Sequence, residues 1–245
     1  MRWDERSYPE LDGIEGSVAV LPLGAVEAHG PHLATGADVV IAEAMARDGV
    51  RRLRAEGVTA FVLPAIAYAP APFADEFPGT LSIRPETMAA LVEDLAAALA
   101  RRGVAVMALA NSHFDPAQVA ALREAAARIE ERGRLRVAFP DLTRRALAGR
   151  LTEEFRSGAC HAGRYETSIL LAERPELVDE RRARELPARP VSLVDAIRAG
   201  QPTFGAAGLG HAYCGAPAEA SAAEGREIVA ALGVLLAEAV RAALV

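Results

Sequence analysis

The chain alternates between short apolar runs and longer segments in which apolar residues recur every three or four positions. Short runs rich in strand-forming residues predict β-strands, and the periodic segments predict amphipathic helices. Strands and helices in alternation predict an α/β fold, with a mostly parallel sheet between two helical layers in a three-layer α/β/α arrangement. The predicted strands are residues 18–23, 60–63, 104–110 and 135–139, and the predicted helices are residues 37–54, 116–132, 161–172 and 219–244, with one more beginning at Pro85.

The helix that begins at Pro85 illustrates the periodic segments. Met88, Leu91 and Leu95 follow at helical spacing, so they share one face. Proline suits the first helical position because the N–H that it lacks would have no partner there. No internal repeat and no linker divides the chain, and its length is enough for one sizeable core. We therefore expect a single domain over residues 1–245.

Charge and composition exclude several kinds of partner. The 27 basic residues, all of them arginine, are outnumbered by 33 acidic residues, and the net charge of −6 argues against nucleic acid or an anionic membrane. No segment approaches the roughly 20 apolar residues needed to span a bilayer, and no apolar stretch near the start resembles a secretory signal. Cys160 and Cys214 are too few for a disulfide framework. We expect reduced thiols and a cytoplasmic location.

The first polar cluster follows the first predicted strand. Glu27, His29 and His32 lie just after Gly24, and Asp38 follows at the start of the next helix. Ligands of open α/β sheets bind at the carboxyl ends of the strands, where this cluster lies. Imidazole and carboxylate groups together suit Zn²⁺ or Mn²⁺. The alternative is a polar loop whose histidine and glutamate only cap the next helix.

Two further clusters follow later in the chain. His113 and Asp115 lie at the exit of the third predicted strand, where they offer one nitrogen and one oxygen ligand, although Asp115 also suits the N-cap position before Pro116. His161 and Glu166 are five residues apart, so they reach one pocket only if His161 precedes the helix. A histidine and a glutamate beside a metal centre are typical of proton transfer. The alternative is a helix that packs through its hydroxyl residues while Glu166 is solvated.

Three motifs in order connect these clusters. Residues 21–33 read LPLGAVEAHGPHL and are followed by Asp38, residues 77–80 read FPGT, and residues 161–168 read HAGRYETS. These motifs resemble those of the creatininase family, the creatinine amidohydrolase-like proteins. The similarity extends over about residues 18–230 and implies a creatininase-like fold.

The resemblance implies a centre of two divalent metal ions, with Zn²⁺ or Mn²⁺ expected and Fe²⁺ as a third candidate. By this resemblance Asp38 bridges the ions, and Glu166 contacts a metal if it is not a proton carrier. One ion would be held by Glu27 and His113, the other by His29 and Asp115. The implied site residues are Glu27, His29, Asp38, His113 and Asp115 as metal ligands, and His161 and Glu166 as catalytic residues.

The sequence departs from the family pattern at two places. Creatininase has a glutamate where this chain has the shorter Asp115, so the resemblance implies a second metal shifted by about one bond length or reached through a bridging water. Creatininase also has tryptophans near the third motif, whereas the single tryptophan here is Trp3. Creatinine is therefore disfavoured as the substrate.

The implied activity is hydrolysis of an amide C–N bond in a small molecule, by a water activated between the two metal ions. The alternatives are a formamide hydrolase, a peptidase that acts on a modified peptide, and a metal-binding assembly subunit without catalysis. Members of the family are typically hexamers, so we expect a homo-oligomer.

Overall fold

The computed structural model describes all of residues 1–245. Its four strands form one sheet in which every pairing is parallel, with the spatial order β2–β1–β3–β4. The two central strands are buried along their whole length, as expected where helices cover both faces of a parallel sheet. The strands are β1 (Val18–Leu23), β2 (Ala60–Val62), β3 (Val106–Asn111) and β4 (Arg136–Ala138).

Nine α-helices accompany the sheet. Five of them have ten or more residues, and these form the helical layers. None of the helices is both long enough and apolar enough to cross a membrane. In chain order they are α1 (Ala37–Ala55), α2 (Pro85–Arg101), α3 (Pro116–Glu131), α4 (Arg145–Ala148), α5 (Glu153–Ser157), α6 (Arg164–Glu173), α7 (Glu180–Glu185), α8 (Leu193–Arg198) and α9 (Ala222–Leu244).

Alternation of side chains along the strands separates two apolar cores. Val18 and Val20 of β1 belong to one core, with residues of α1, α6 and α9. Ala19 and Leu21 point to the opposite face and pack with residues of α2 and α3. Each fully buried valine or leucine contributes about 1.5–3 kcal/mol relative to an exposed one, so the sheet is a rigid support for the loops at its edge. The predicted three-layer α/β fold with a parallel sheet is confirmed.

The boundaries differ from prediction where local geometry ends an element. The predicted strand from residue 104 begins at Val106, and the helix predicted from His161 begins at Arg164, with Gly163 at its N-cap. The last helix begins at Ala222, three residues later than predicted, because the Ser221 side chain caps it there. The short helices α4, α5, α7 and α8 were not predicted, since four to six residues are too few to show a helical period.

Candidate metal centre

The site begins where the two central strands end side by side. Leu23 at the end of β1 pairs in register with Asn111 at the end of β3, so the loops that follow start next to each other. Gly24 lets the first turn of α1 approach, because a Cβ at this position would lie 2.5 Å from the Val39 nitrogen. The Ser112 hydroxyl then donates to the Asp38 carbonyl at 2.6 Å and ties the second loop to the same turn. These contacts bring residues 24–38 and 111–115 to one edge of the sheet.

Six of the seven predicted site residues converge at this edge. All six are buried, with exposed fractions from 1% to 7%, although the carboxylates among them belong to residue types that are almost never fully buried unless paired. Their ligand atoms form three groups, and the atoms of each group lie within 4.8 Å of one another. The groups are Glu27 with Asp38 and His113, His29 with Asp38 and Glu166, and Glu27 with His29 and His161.

Asp38 is shared by the first two groups. Its Oδ2 lies 3.0 Å from His113 Nδ1, and its Oδ1 lies 3.3 Å from His29 Nε2. Glu27 Oε1 lies 3.3 Å from His113 Nδ1 on one side, and Glu166 Oε2 lies 3.5 Å from His29 Nε2 on the other. The carboxylate of Asp38 therefore faces both groups, as a bridging ligand would.

Backbone carbonyls orient all three imidazole rings. His29 Nδ1 lies 3.1 Å from the Glu27 carbonyl, His113 Nε2 lies 2.8 Å from the Pro70 carbonyl, and His161 Nε2 lies 2.9 Å from the Ala28 carbonyl. A carbonyl oxygen only accepts hydrogen bonds, so the ring nitrogen that faces it carries the proton. The other nitrogen of each neutral ring then presents its lone pair to the carboxylates. This is the usual arrangement of histidines that bind metals.

Unpaired buried atoms test whether a metal fits this cluster. His29 Nε2 and Asp38 Oδ2 are buried and have no hydrogen-bond partner. With its Nε2 proton directed at Pro70, His113 Nδ1 is also an acceptor, and it faces Asp38 Oδ2 at 3.0 Å. Facing acceptors repel unless a proton or a cation lies between them. The nitrogen and oxygen donors suit Zn²⁺ or Mn²⁺, so the residues fit divalent metal ions.

The pKa values also show that the buried carboxylates of the cluster favour positive charge beside them. Burial lowers the pKa of His29, but Asp38 and the two glutamates outweigh that effect and raise it to about 10. The pKa of His113 is likewise raised well above its usual value, against the effect of burial, by Glu27 and Asp38. Burial raises the pKa of Glu166 to about 8. Without a metal, protons therefore compensate part of the charge of the cluster.

His161 differs from the other two histidines. Burial, and then the charge of His29, lower the pKa of His161 to about 4, so its ring is neutral at physiological pH. His161 lies before α6, which is the condition under which His161 and Glu166 were expected to reach one pocket. Ala162 has a left-handed φ of 49°, and its N–H donates to Glu166 Oε2 at 2.7 Å. This turn directs His161 and Glu166 to the same cluster.

Asp115 is the predicted site residue that the structure does not bring into the three groups. Its Oδ1 accepts a hydrogen bond from the Ala117 N–H at 2.8 Å, and its Oδ2 accepts one from the Phe73 N–H at 3.1 Å. It is therefore the N-cap of α3, which was the alternative interpretation of this residue. The carboxylate that completes the second group with His29 and Asp38 is Glu166.

The alternative interpretations of the first and third polar clusters are wrong. The N-cap of α1 is Gly36, without any side-chain cap, so the first cluster does not serve to cap that helix. Glu166 is buried rather than solvated. Thr167 does pack internally, and its hydroxyl lies 2.9 Å from Nε2 of the buried His32. This contact ties the first motif to the third.

The cluster lies at the floor of a cavity of about 1000 Å³, which all of its members except His29 line; this volume is near the upper limit for drug-sized ligands. Phe204 is a wall residue that was not predicted, because one phenylalanine beside a glycine-rich loop carries no signal in the sequence. Its ring stacks on His161 with centroids 4.3 Å apart and an interplanar angle of 25°. Farther from the floor, the walls include residues of α4, α5 and α8, among them Arg145, Arg156 and Arg198.

A parallel α/β sheet with buried imidazoles and carboxylates at its carboxyl edge is typical of metal-dependent hydrolases. Comparison with known families identifies the particular one. Residues 4–240 match the Creatininase family, described as creatinine amidohydrolase. The chain therefore belongs to the creatininase family and is a hydrolase of the amidohydrolase class. The resemblance seen in the three sequence motifs is confirmed.

Individual relatives span nearly the same length. The chain is 36% identical over 223 residues to a mycofactocin precursor peptide peptidase of Mycobacterium tuberculosis, covering 87% of this chain and 80% of the relative. Among solved structures, a mutant creatininase complexed with creatine has a TM-score of 0.75 and 25% identity, covering 98% of this chain and 97% of that one. Creatininase with Mn has a TM-score of 0.69 and 26% identity, covering 99% and 96%.

Proposed function

We propose that the protein is a metal-dependent peptidase that cleaves an amide C–N bond in a modified peptide. The observation that carries this proposal is the cavity of about 1000 Å³ whose floor is the imidazole and carboxylate cluster. Such a volume accommodates several residues of a peptide, whereas a compact cyclic amide would leave most of it to water. The similarity to a peptidase that acts on a precursor peptide supports the same choice.

Two divalent metal ions would be held by five side chains. Glu27 and His113 would complete one site, His29 and Glu166 the other, and Asp38 would bridge them, as the shared distances suggest. When bound, the metals supply polarisation of the amide carbonyl and make water acidic enough to attack at neutral pH. The relative with Mn makes manganese the first ion to test.

His161 is the proposed proton carrier. Its ring is held by the Ala28 carbonyl through Nε2 and by stacking on Phe204, so Nδ1 points towards Glu27, whose Oε1 lies 3.8 Å away. Because the Nε2 proton is directed at the Ala28 carbonyl, Nδ1 presents its lone pair and can accept the proton that the attacking water loses. The same nitrogen then returns this proton to the leaving amine, which departs poorly as an anion.

A small-molecule amide is the second candidate substrate. The family description as creatinine amidohydrolase favours this class, and formamides belong to it. Assembly into a homo-oligomer, a hexamer by family resemblance, and a cytoplasmic location also stay proposals. The mass of the native protein in solution tests the first of these two.

The deciding experiment compares amide classes with the same preparation. The protein is loaded with Mn²⁺, its metal content is measured, and it is incubated with synthetic peptides, formamides and creatinine while mass spectrometry follows the products. We expect peptide cleavage, and a loss of that cleavage in the His161→Asn variant but not in His211→Asn, whose side chain lies in an exposed loop. If a preparation with about two metals per chain cleaves only formamides or creatinine, the peptidase proposal is wrong.

A further inference from the structure

Asp115 was predicted as a metal ligand from the family resemblance, but in the structure its carboxylate is held by backbone donors instead. The side chain is buried, with 8% of its surface exposed, and both carboxylate oxygens accept backbone N–H groups, from Ala117 and from Phe73. Each oxygen accepts one N–H, and together the two bonds hold the carboxylate between the start of α3 and the Phe73 segment. No group of metal-ligand atoms in the structure includes it.

The hydrogen bond to Phe73 leads towards His161. The Phe73 carbonyl accepts the N–H of Phe204 at 2.9 Å, and the two phenyl rings meet edge to face with centroids 5.0 Å apart. The Phe204 ring in turn stacks on the imidazole of His161. A second contact supports the same segment, since the Gly205 N–H donates to the Glu76 carboxylate, which follows Phe73 in the chain.

We propose that Asp115 is a positioning residue that acts through Phe73 and Phe204 to fix the ring of His161, and that it is not a metal ligand. Its Oδ1 is fixed to the start of α3 by the Ala117 N–H, and its Oδ2 holds the backbone of Phe73 at a fixed distance from that helix. Phe204 then limits the tilt of the imidazole by stacking on it, and the ring of His29 is a second neighbour with its centroid 4.4 Å from that of His161. Loosening the path would change the orientation of His161 without removing it.

The Asp115→Asn variant separates the two contacts. An asparagine has only one acceptor oxygen, and as a favoured N-cap residue it keeps that oxygen on Ala117. Its amide nitrogen then faces the Phe73 N–H, and two donors cannot bond. The matched control is Ser221→Ala, which removes the cap of α9, where the Ser221 hydroxyl accepts the Glu224 N–H. A third variant, Phe204→Leu, removes the stacking but keeps Asp115.

Two measurements are independent of any substrate. Elemental analysis of Asp115→Asn should find the wild-type metal content, about two ions per chain. Amide hydrogen exchange at Phe73 and Phe204 should become about tenfold faster than in wild type, a change that Ser221→Ala does not produce. A drop to about one metal per chain would show that Asp115 is a ligand and overturn the proposal. Unchanged exchange at Phe204 would overturn the path.

The kinetic measurement rests on the proposed function and uses whichever peptide the enzyme cleaves. We expect kcat of Asp115→Asn to fall about tenfold while KM stays within about twofold, because the proton carrier is misaligned but the cavity is intact. The double variant Asp115→Asn/Phe204→Leu should be no slower than Phe204→Leu alone, since both changes act on one path. Additive losses would contradict the proposal. If no peptide is cleaved, the proposed function fails, while metal content and exchange still decide the role of Asp115.

Discussion

The floor and the outer walls of the cavity differ in how firmly their polar side chains are held. On the floor, buried imidazoles are each held by a backbone carbonyl, and the carboxylates approach two of them within 3.0–3.5 Å. The outer walls consist partly of the short helices α4, α5 and α8, where Arg145 and Arg156 are exposed. Neither of these two guanidinium groups makes an ion pair, whereas the neighbouring Arg144 and Arg150 do.

This difference assigns separate tasks to the two regions. Chemistry requires atoms held within fractions of an ångström, and the floor achieves this by burial on the edge of a rigid sheet. Recognition of an extended substrate tolerates adjustable side chains in water, which the outer walls provide. Substitutions on the floor should therefore affect turnover by orders of magnitude, and those on the walls should affect KM modestly.

The largest effect is expected for Asp38→Ala. Because this carboxylate faces both groups of ligands, its removal should release most of the metal and lower turnover about a thousandfold or more. Elemental analysis and the rate of peptide cleavage measure the two losses. Asp75→Ala, an exposed carboxylate in the loop before the FPGT turn, is the matched control and should change neither. Full metal retention in Asp38→Ala would contradict the bridged arrangement.

His161→Asn should come next, with turnover lowered about 10²- to 10⁴-fold, the usual contribution of a proton carrier. The metal content should stay at the wild-type value, since the groups that share Asp38 do not include His161. Elemental analysis checks this point, and a variant that loses metal would identify His161 as a ligand.

The metal affinity of the floor should depend on pH. The pKa of His29 is raised to about 10, so in the metal-free protein at neutral pH a proton lies on this ring and must leave when a metal binds. The affinity should therefore rise with pH, by up to about tenfold per unit for each proton released, and fall as the pH is lowered from 8 to 6. Calorimetric titration with Mn²⁺ in buffers of different ionisation enthalpy counts the protons. A dissociation constant that is unchanged over this range would mean that no proton is displaced.

The smallest effect is expected on the walls. Arg145→Gln combined with Arg156→Gln should raise KM for peptides with acidic groups about three- to tenfold and leave kcat unchanged, because exposed charges are screened by water and salt. Peptides in which amides replace the carboxylates should show no change. Arg226→Gln, an exposed arginine of α9 outside the cavity, is the control. A loss of kcat in the double variant would show that the walls also position the reacting atoms.

The floor was largely predictable from the sequence, since polar residues after buried strands lie at one edge of a parallel sheet. The first motif selected Glu27, His29 and Asp38, the polar cluster after the third predicted strand selected His113, and the structure brings their ligand atoms together. The sequence did not show that Glu166 is the carboxylate that joins His29 and Asp38. A spacing of five residues does not show which way Glu166 points; the left-handed backbone at Ala162 determines this, and such a conformation is not encoded by an alanine.

The walls were not predictable, for reasons of length and context. Helices α4 and α5 have four and five residues, which is less than two turns, so no periodic pattern identifies them. Phe204 comes next to His161 only because a loop more than 40 residues later folds back over the site. No local property of either residue records that contact.

By itself, the sequence determined the α/β class, the parallel sheet, the family and the chemical types that meet at the floor. These follow from hydrophobic periodicity and from motifs whose residues lie near one another in the chain. Only the tertiary structure decided that Glu166 joins His29 and Asp38, that Asp115 holds two backbone N–H groups, and that Phe204 covers His161. Each of these depends on distances between segments far apart in sequence, and such distances arise from the packing of the whole chain.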